Sequence, residues 1–270
     1  MKINYEQITE DCVQWIRDWF DKNGKGCNAI IGLSGGKDST IVCGLCVKAL
    51  GKDRVIGVSM PETGQGLNDA DNIAKFFDIP LIVAPIGNIC DTFYETPQEM
   101  EFYMARDSKM PSSLEASTTT ILNNEWSLQS KQNIAPRVRM TMLYAISQSC
   151  NGRVIGTCNA SENLVGYFTR WGDGASDVEP IGSFTVNDVK EIGRVLGIPD
   201  KWVEKIPDDG LQGSMPDNEK FMKWGFSYEY IEDYIKNGST GNKEVDVILK
   251  NRRDKNLFKL SMPPIFHPNK

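Results

Sequence analysis

Six consecutive residues, Ser34-Gly35-Gly36-Lys37-Asp38-Ser39, carry the clearest chemistry in the chain. Adjacent glycines let an oxyanion reach main-chain N–H groups with no Cβ in the way, and two hydroxyls and a lysine add further donors. An anion, most naturally a phosphate, fits such a turn. Asp38 adds a condition: a carboxylate inside a phosphate loop repels its ligand unless a divalent cation lies between them. Mg2+ is the hard ion that combines one or two carboxylates with phosphate oxygens. Two common phosphate-binding patterns do not fit. GxxxxGK[ST] requires glycine at 31 and a hydroxyl residue at 38, where Ile31 and Asp38 stand. GxGxxG requires a glycine two residues after Gly32, where Ser34 stands.

For the loop amides to be free, the loop must open a helix. The preceding run, Ala29-Ile30-Ile31-Gly32-Leu33, is short and apolar on both faces, as in a strand buried within a parallel sheet. After the loop, Ile41, Val42, Leu45, Cys46, Ala49 and Leu50 recur at helical spacing. Residues 28–50 therefore read as strand, phosphate loop and helix, with the positive end of the helix dipole at the anion. Residues 5–23 form an outer helix ended by Gly24 and Gly26, and further strands are predicted at 54–60, 80–84 and 153–157. Asn68 is expected to cap a helix running to Asp78, and Pro136 to lie in the first turn of another that opens at Asn133. The polar stretch 95–131 has poor periodicity and predicts a long loop. Strands alternating with helices imply right-handed βαβ crossovers, a parallel sheet and ligands at the strands' C-terminal ends.

At 270 residues, with 40% hydrophobic and 24% charged residues, one α/β domain over 1–270 is expected. No apolar run approaches the ~18 residues of a membrane span, and residues 1–6 have no apolar signal core, so the expectation is a cytoplasmic protein that does not engage membranes. The net charge of −6 argues against a nucleic-acid footprint. Seven scattered cysteines read as reduced, buried thiols; Cys43 and Cys46 match CxxC but have no second pair. His267 is the only histidine, which argues against histidine triads and histidine-ligated metals.

With SGGxDS behind a strand, the chain resembles the N-type ATP pyrophosphatases, which split ATP between the α and β phosphates, and within them the NAD synthetases. Further segments carry the resemblance. Gly156-Thr157, followed by Glu162, is similar to the family's Gly-Thr-x-x-x-x-Glu; Phe168-Thr169-Arg170-Trp171-Gly172-Asp173-Gly174-Ala175-Ser176-Asp177 is similar to its Phe-Thr-Lys-[aromatic]-Gly-Asp-Gly-x-x-Asp. Asn133-Ile134-Ala135-Pro136-Arg137-Val138-Arg139-Met140 is similar to its Asn-x-x-Ala-Arg-x-Arg-Met. Departures are visible too. Arg170 replaces a lysine, Phe258 a histidine and Val186 an ATP-binding lysine, while Asp208 replaces a hydroxyl residue.

The resemblance implies a doubly wound parallel sheet flanked by helices, of the Rossmann-like adenine-nucleotide alpha-hydrolase type, without a glutaminase domain. It implies ATP contacts from Gly32, Leu33, Ser34, Gly35, Gly36, Lys37, Asp38, Ser39, Thr157 and Gln65. Asp38 and Glu162 would be the catalytic pair that holds Mg2+, although Glu162 read without the family is a solvated acid at a helix start. Deamido-NAD would meet Arg137, Arg170, Asp177 and Lys259, and Phe168 and Trp171 would either stack on its nicotinic ring or simply pack. Arg139, two residues from Arg137 on a helix, points in a different direction and would be either a structural residue or a further ligand contact. The implied reaction is the amidation of deamido-NAD by ammonia at the expense of ATP, in a homodimer. Two alternatives stay open: a related pyrophosphatase acting on another acceptor such as a tRNA base, and a nucleotide sensor without turnover.

Overall fold

The computed structural model describes residues 3–63, 66–99, 123–206 and 216–267. Gln65, Asp208 and the central part of the polar stretch, 100–122, lie outside the described residues.

The elements run α1 (Tyr5–Asn23), β1 (Asn28–Gly32), α2 (Lys37–Leu50), β2 (Val55–Ser59), α3 (Leu67–Phe77), β3 (Leu81–Val83), α4 (Gly87–Glu95), α5 (Leu128–Ser149), β4 (Gly152–Ile155), α6 (Ala160–Val165), α7 (Val186–Val195), α8 (Asp200–Val203), α9 (Asp217–Lys223), α10 (Tyr228–Asn237) and α11 (Lys243–Asn256). Among the described residues the four strands are all parallel, in the order β3-β2-β1-β4. Ala29 pairs with Val55 on one side of β1 and with Arg153 on the other.

Because successive side chains of a strand point to opposite faces, β1 seeds two cores. Ala29 and Ile31 face the layer of α1, α2, α3 and α7. Ile30 faces the layer of α4 and α5, through Ile86, Cys90, Ala135 and Val138. All three strand residues are fully buried, and truncating such a side chain as Ile30 to alanine typically costs about 2–5 kcal/mol. A separate cluster joins α6 to the C-terminal helices through Val165, Phe221, Phe226, Ile231, Val245 and Leu249. This is the doubly wound parallel sheet expected. Cys43 and Cys46 lie fully buried in α2, and all seven cysteines are free thiols. Among the described residues, no helix is long and apolar enough to cross a membrane.

Local expectations failed in two places. Gly66, in the left-handed region at φ 78°, is the N-cap of α3, and Asn68 lies inside the first turn. Likewise α5 begins at Leu128, five residues before the predicted opening at Asn133, because the Ser127 side chain accepts from the Ser130 N–H and caps it. Pro136 is therefore in the helix interior, where it withholds a donor from the carbonyl four residues back.

Candidate active site at the switch point

Strand order reverses at β1: the chain moves to β2 and β3 on one side and returns to β4 on the other. The loops leaving β1 and β4 are thus adjacent at the sheet's C-terminal edge, where α/β sheets open a crevice. Residues 33–36 leave from β1, residues 156–159 from β4.

Leu33 is buried and anchors the first loop, its N–H donating to the Val58 carbonyl at 2.8 Å. Gly36 is the N-cap of α2 and brings no side chain to the cap, so the first-turn amides are not taken up by one. Ser34 Oγ accepts from the Gly36 N–H at 3.2 Å and lies 3.2 Å from Ser39 Oγ. Gly35 has φ 81°, and a Cβ there would come within 2.6 Å of Asp69 Cβ, so α3 packs directly on the loop. Lys37 is 2% exposed and donates to Asp38 Oδ2 at 2.7 Å. Burial works against its ammonium, but the negative charges of Asp38 and Glu162 outweigh it and hold its pKa above the ordinary value.

From β4 the chain passes half-buried Thr157 and reaches Asn159, which is fully buried. Asn159 caps α6: its Oδ1 accepts from the Ser161 and Glu162 N–H groups, and Glu162 Oε2 in turn accepts from the Asn159 N–H at 2.9 Å. The Nδ2 of Asn159 donates to Asp38 Oδ1 at 3.4 Å. One buried amide therefore links both acids. Burial, and then the negative charge of Asp38, push the Glu162 carboxyl well above the usual carboxylate range. Two acids facing each other beside one lysine form a place that a divalent cation would relax. Among the described residues, no group of three or more His, Cys, Asp or Glu side chains is arranged to hold a metal. A hard ion here would thus complete its shell with substrate oxygens and water, as Mg2+ does.

A second group adjoins the first, since Cys158 Sγ donates to the Asp173 carbonyl at 3.5 Å and the charge of Asp173 acts on Glu162. The Asp173 carboxylate accepts from the Thr169 N–H and closes the turn. Arg170 lies between the rings of Trp171 and Phe258, at 4.9 and 5.2 Å, and donates to the Ser261 carbonyl. Its Nε is buried without a hydrogen-bond partner among the described residues. Trp171 sits at φ 60°, a strained conformation for a bulky residue and one that clusters at functional sites. Lys259 donates to the Gly166 and Phe168 carbonyls, and burial lowers its pKa.

The remaining expected residues are more dispersed. Arg137 is exposed on α5, whereas Arg139 turns to the Met60 carbonyl. Asp177 is tied to β4, accepting from the Val154 N–H at 2.8 Å, and receives the Tyr144 hydroxyl at 3.5 Å. Val186 is 6% exposed in the first turn of α7. Two residues with no role in the sequence reading belong to the site. Asn159 was signalled by its spacing to Glu162, which matches a capping box. Lys205, which donates to the Gly35 carbonyl, had no local signal.

The sequence profile of the NAD synthase family matches residues 8–263. An NH(3)-dependent NAD(+) synthetase of Archaeoglobus fulgidus is 32% identical, with 97% of each chain covered. Among solved structures, an NH3-dependent NAD synthetase of Campylobacter jejuni superposes with TM-score 0.70 at 28% identity, over 98% of this chain and 100% of that one. An NMN synthetase of Francisella tularensis superposes with TM-score 0.79 at 25% identity over the whole of both chains. Phosphate loop, paired carboxylates and matched length agree: the chain belongs to the NAD synthase family.

Proposed function

We propose that the chain amidates deamido-NAD with ammonia, consuming ATP and releasing NAD, AMP and pyrophosphate. The observation that carries this reading is the meeting of Asp38 and Glu162, from two separate strand ends, beside the phosphate loop in a chain whose relatives are ammonia-dependent synthetases. In the first step a nicotinate carboxylate oxygen attacks the ATP α-phosphorus and pyrophosphate leaves. In the second, ammonia adds to the activated carbonyl, loses a proton and displaces AMP.

Gly32, Leu33, Ser34, Gly35, Gly36, Lys37 and Ser39 would hold the phosphates, with Thr157 and Gln65 as further ATP contacts. Asp38 and Glu162 would hold Mg2+, which when bound neutralises charge building on the phosphates. Asn159 keeps the two carboxylates facing each other. Arg170 and Lys259 would meet deamido-NAD beside Trp171, and Arg137 and Asp177 would complete its site. No candidate nucleophile is required, so positioning and charge stabilisation supply the rate. A single domain over 1–270, a homodimer and a cytoplasmic location accompany this proposal. Neither the tRNA-base nor the sensor alternative is favoured, since the relatives named are NAD and NMN synthetases.

The closer superposition on an NMN synthetase favours a second reading, in which the acid is the nicotinate mononucleotide. One assay separates them: AMP, pyrophosphate and amide formation with ATP, Mg2+ and ammonium, supplying deamido-NAD or the mononucleotide, with each component omitted in turn. The main reading expects a higher kcat/KM for the dinucleotide, one AMP per NAD, and loss of both in Asp38→Asn. Absence of AMP with either acid would overturn both.

A further inference from the structure

Lys205 follows α8, whose Trp202 and Val203 are buried; Trp202 packs edge-on against Phe76 of α3 at 5.3 Å. This docking delivers the Lys205 ammonium to the far side of the phosphate loop. There it donates to the Gly35 carbonyl at 2.8 Å and to Asp69 Oδ2 at 2.6 Å. The peptide joining Gly35 to Gly36 is trans, and a trans peptide points its carbonyl and its N–H in opposite directions. Holding the carbonyl toward Lys205 therefore aims the Gly36 N–H at the opposite face, where it donates to Ser34 Oγ at 3.2 Å and so sets that hydroxyl beside Ser39 Oγ. That is the donor face an anion would meet. Two glycines flank this peptide, so no Cβ resists its rotation, and a flipped plane would present a carbonyl oxygen to the anion instead. Asp69 would add a second repulsive charge beside the loop were its carboxylate not paired.

We infer that Lys205 is a positioning residue of the phosphate site: it locks the Gly35–Gly36 peptide with its carbonyl turned away from the polyphosphate and its N–H on the Ser34 and Ser39 side, and it neutralises Asp69 behind the loop. The inference rests on the ATP-binding reading above and deepens it. Lys205 is not asked to touch the reacting atoms.

The test measures equilibrium binding of inorganic pyrophosphate with Mg2+ to the full-length chain, wild type against Lys205→Met, Lys205→Arg and Asp69→Asn. A charged donor lost from the loop should weaken binding about tenfold or more in Lys205→Met. Lys205→Arg, which keeps a donor for the carbonyl, should recover most of it, and Asp69→Asn should weaken binding less than Lys205→Met. In turnover, the KM for ATP should rise in Lys205→Met while the KM for the acid substrate stays put, with little change in melting temperature. Wild-type pyrophosphate binding in Lys205→Met would overturn the proposal. So would an equal loss in Asp69→Asn, or a rise in both KM values accompanied by a fall in melting temperature, which marks a merely structural lysine. A wild-type chain that binds pyrophosphate but forms no amide would sink the synthetase reading and leave the binding comparison intact.

Discussion

Asn159 does with one side chain what two acids cannot do for themselves. Its carbonyl oxygen caps α6 and fixes Glu162, while its amide donates to Asp38, so two groups that repel are held in register. The two jobs are separable by substitution. Serine caps a helix about as well as asparagine, so Asn159→Ser should leave folding stability within about 1 kcal/mol. It cannot reach Asp38. Losing an orienting partner of this kind typically costs about 10–100-fold in metal affinity or activity, which would appear as a higher Mg2+ concentration for half-maximal AMP formation. An unchanged requirement would confine Asn159 to its cap. Gly35 is constrained differently, by the left-handed backbone and by Asp69 Cβ lying 2.6 Å from where its own Cβ would be. Gly35→Ala should cost about 1–2 kcal/mol from the backbone alone, and the forced shift of α3 should raise the KM for ATP. A denaturant titration and ATP kinetics on the same variant would check both halves.

How α7 is fastened is testable through pH. Thr185 and Asp188 form a capping box at its start, and Asp188 Oδ1 also accepts from the Tyr5 hydroxyl of α1 at 2.7 Å. Burial raises the Asp188 pKa, but the hydrogen bonds from Tyr5 and Thr185 outweigh it and leave the carboxyl below its ordinary value. A lowered folded pKa contributes stability that is complete above the unfolded value of about 3.9 and is lost as pH falls through the folded value. Asp188→Asn should accordingly be less stable at pH 7, by about 1 kcal/mol on the scale of a lost cap. Urea midpoints for variant and wild type should converge in strong acid; a gap that persists there would assign the loss to packing. Such contacts explain what could be read from sequence. The apolar runs at 29–33 and 54–60 gave strands to within a residue or two, because burial on both faces leaves a pattern. The start of α5 escaped because its cap, Ser127, lies in a polar stretch with no periodicity, and proline at 136 suggested a beginning where the helix was already under way. Asp38 was legible from its motif. Lys205 was not, since its contact with Gly35 spans 170 positions and depends on how α8 docks on α3.

The reversal of strand order brings these contacts together, because it places the ends of β1 and β4 side by side and lets one ligand bridge residues 34–39 and 157–162. Lys37 pairs with Asp38, but burial and then the charge of Asp38 push the Glu162 carboxyl well above the usual carboxylate range. A ligand that brings a cation and a polyanion together at this pair of acids should therefore stabilise the entire fold. At a concentration about 100-fold above its dissociation constant a ligand adds about 2.7 kcal/mol. For a chain of this size that corresponds to a rise in melting temperature of roughly 5–8 °C. Melting curves with pyrophosphate, with Mg2+ and with both should show the large shift only for the pair, because each ion alone leaves one set of charges unmatched. Asp38→Asn removes one of the two carboxylates and should erase the excess of the pair over pyrophosphate alone. An excess that survived the substitution would mean that the cation is held by something other than the two strand ends, and the doubly wound sheet would then be positioning the phosphates without positioning the metal.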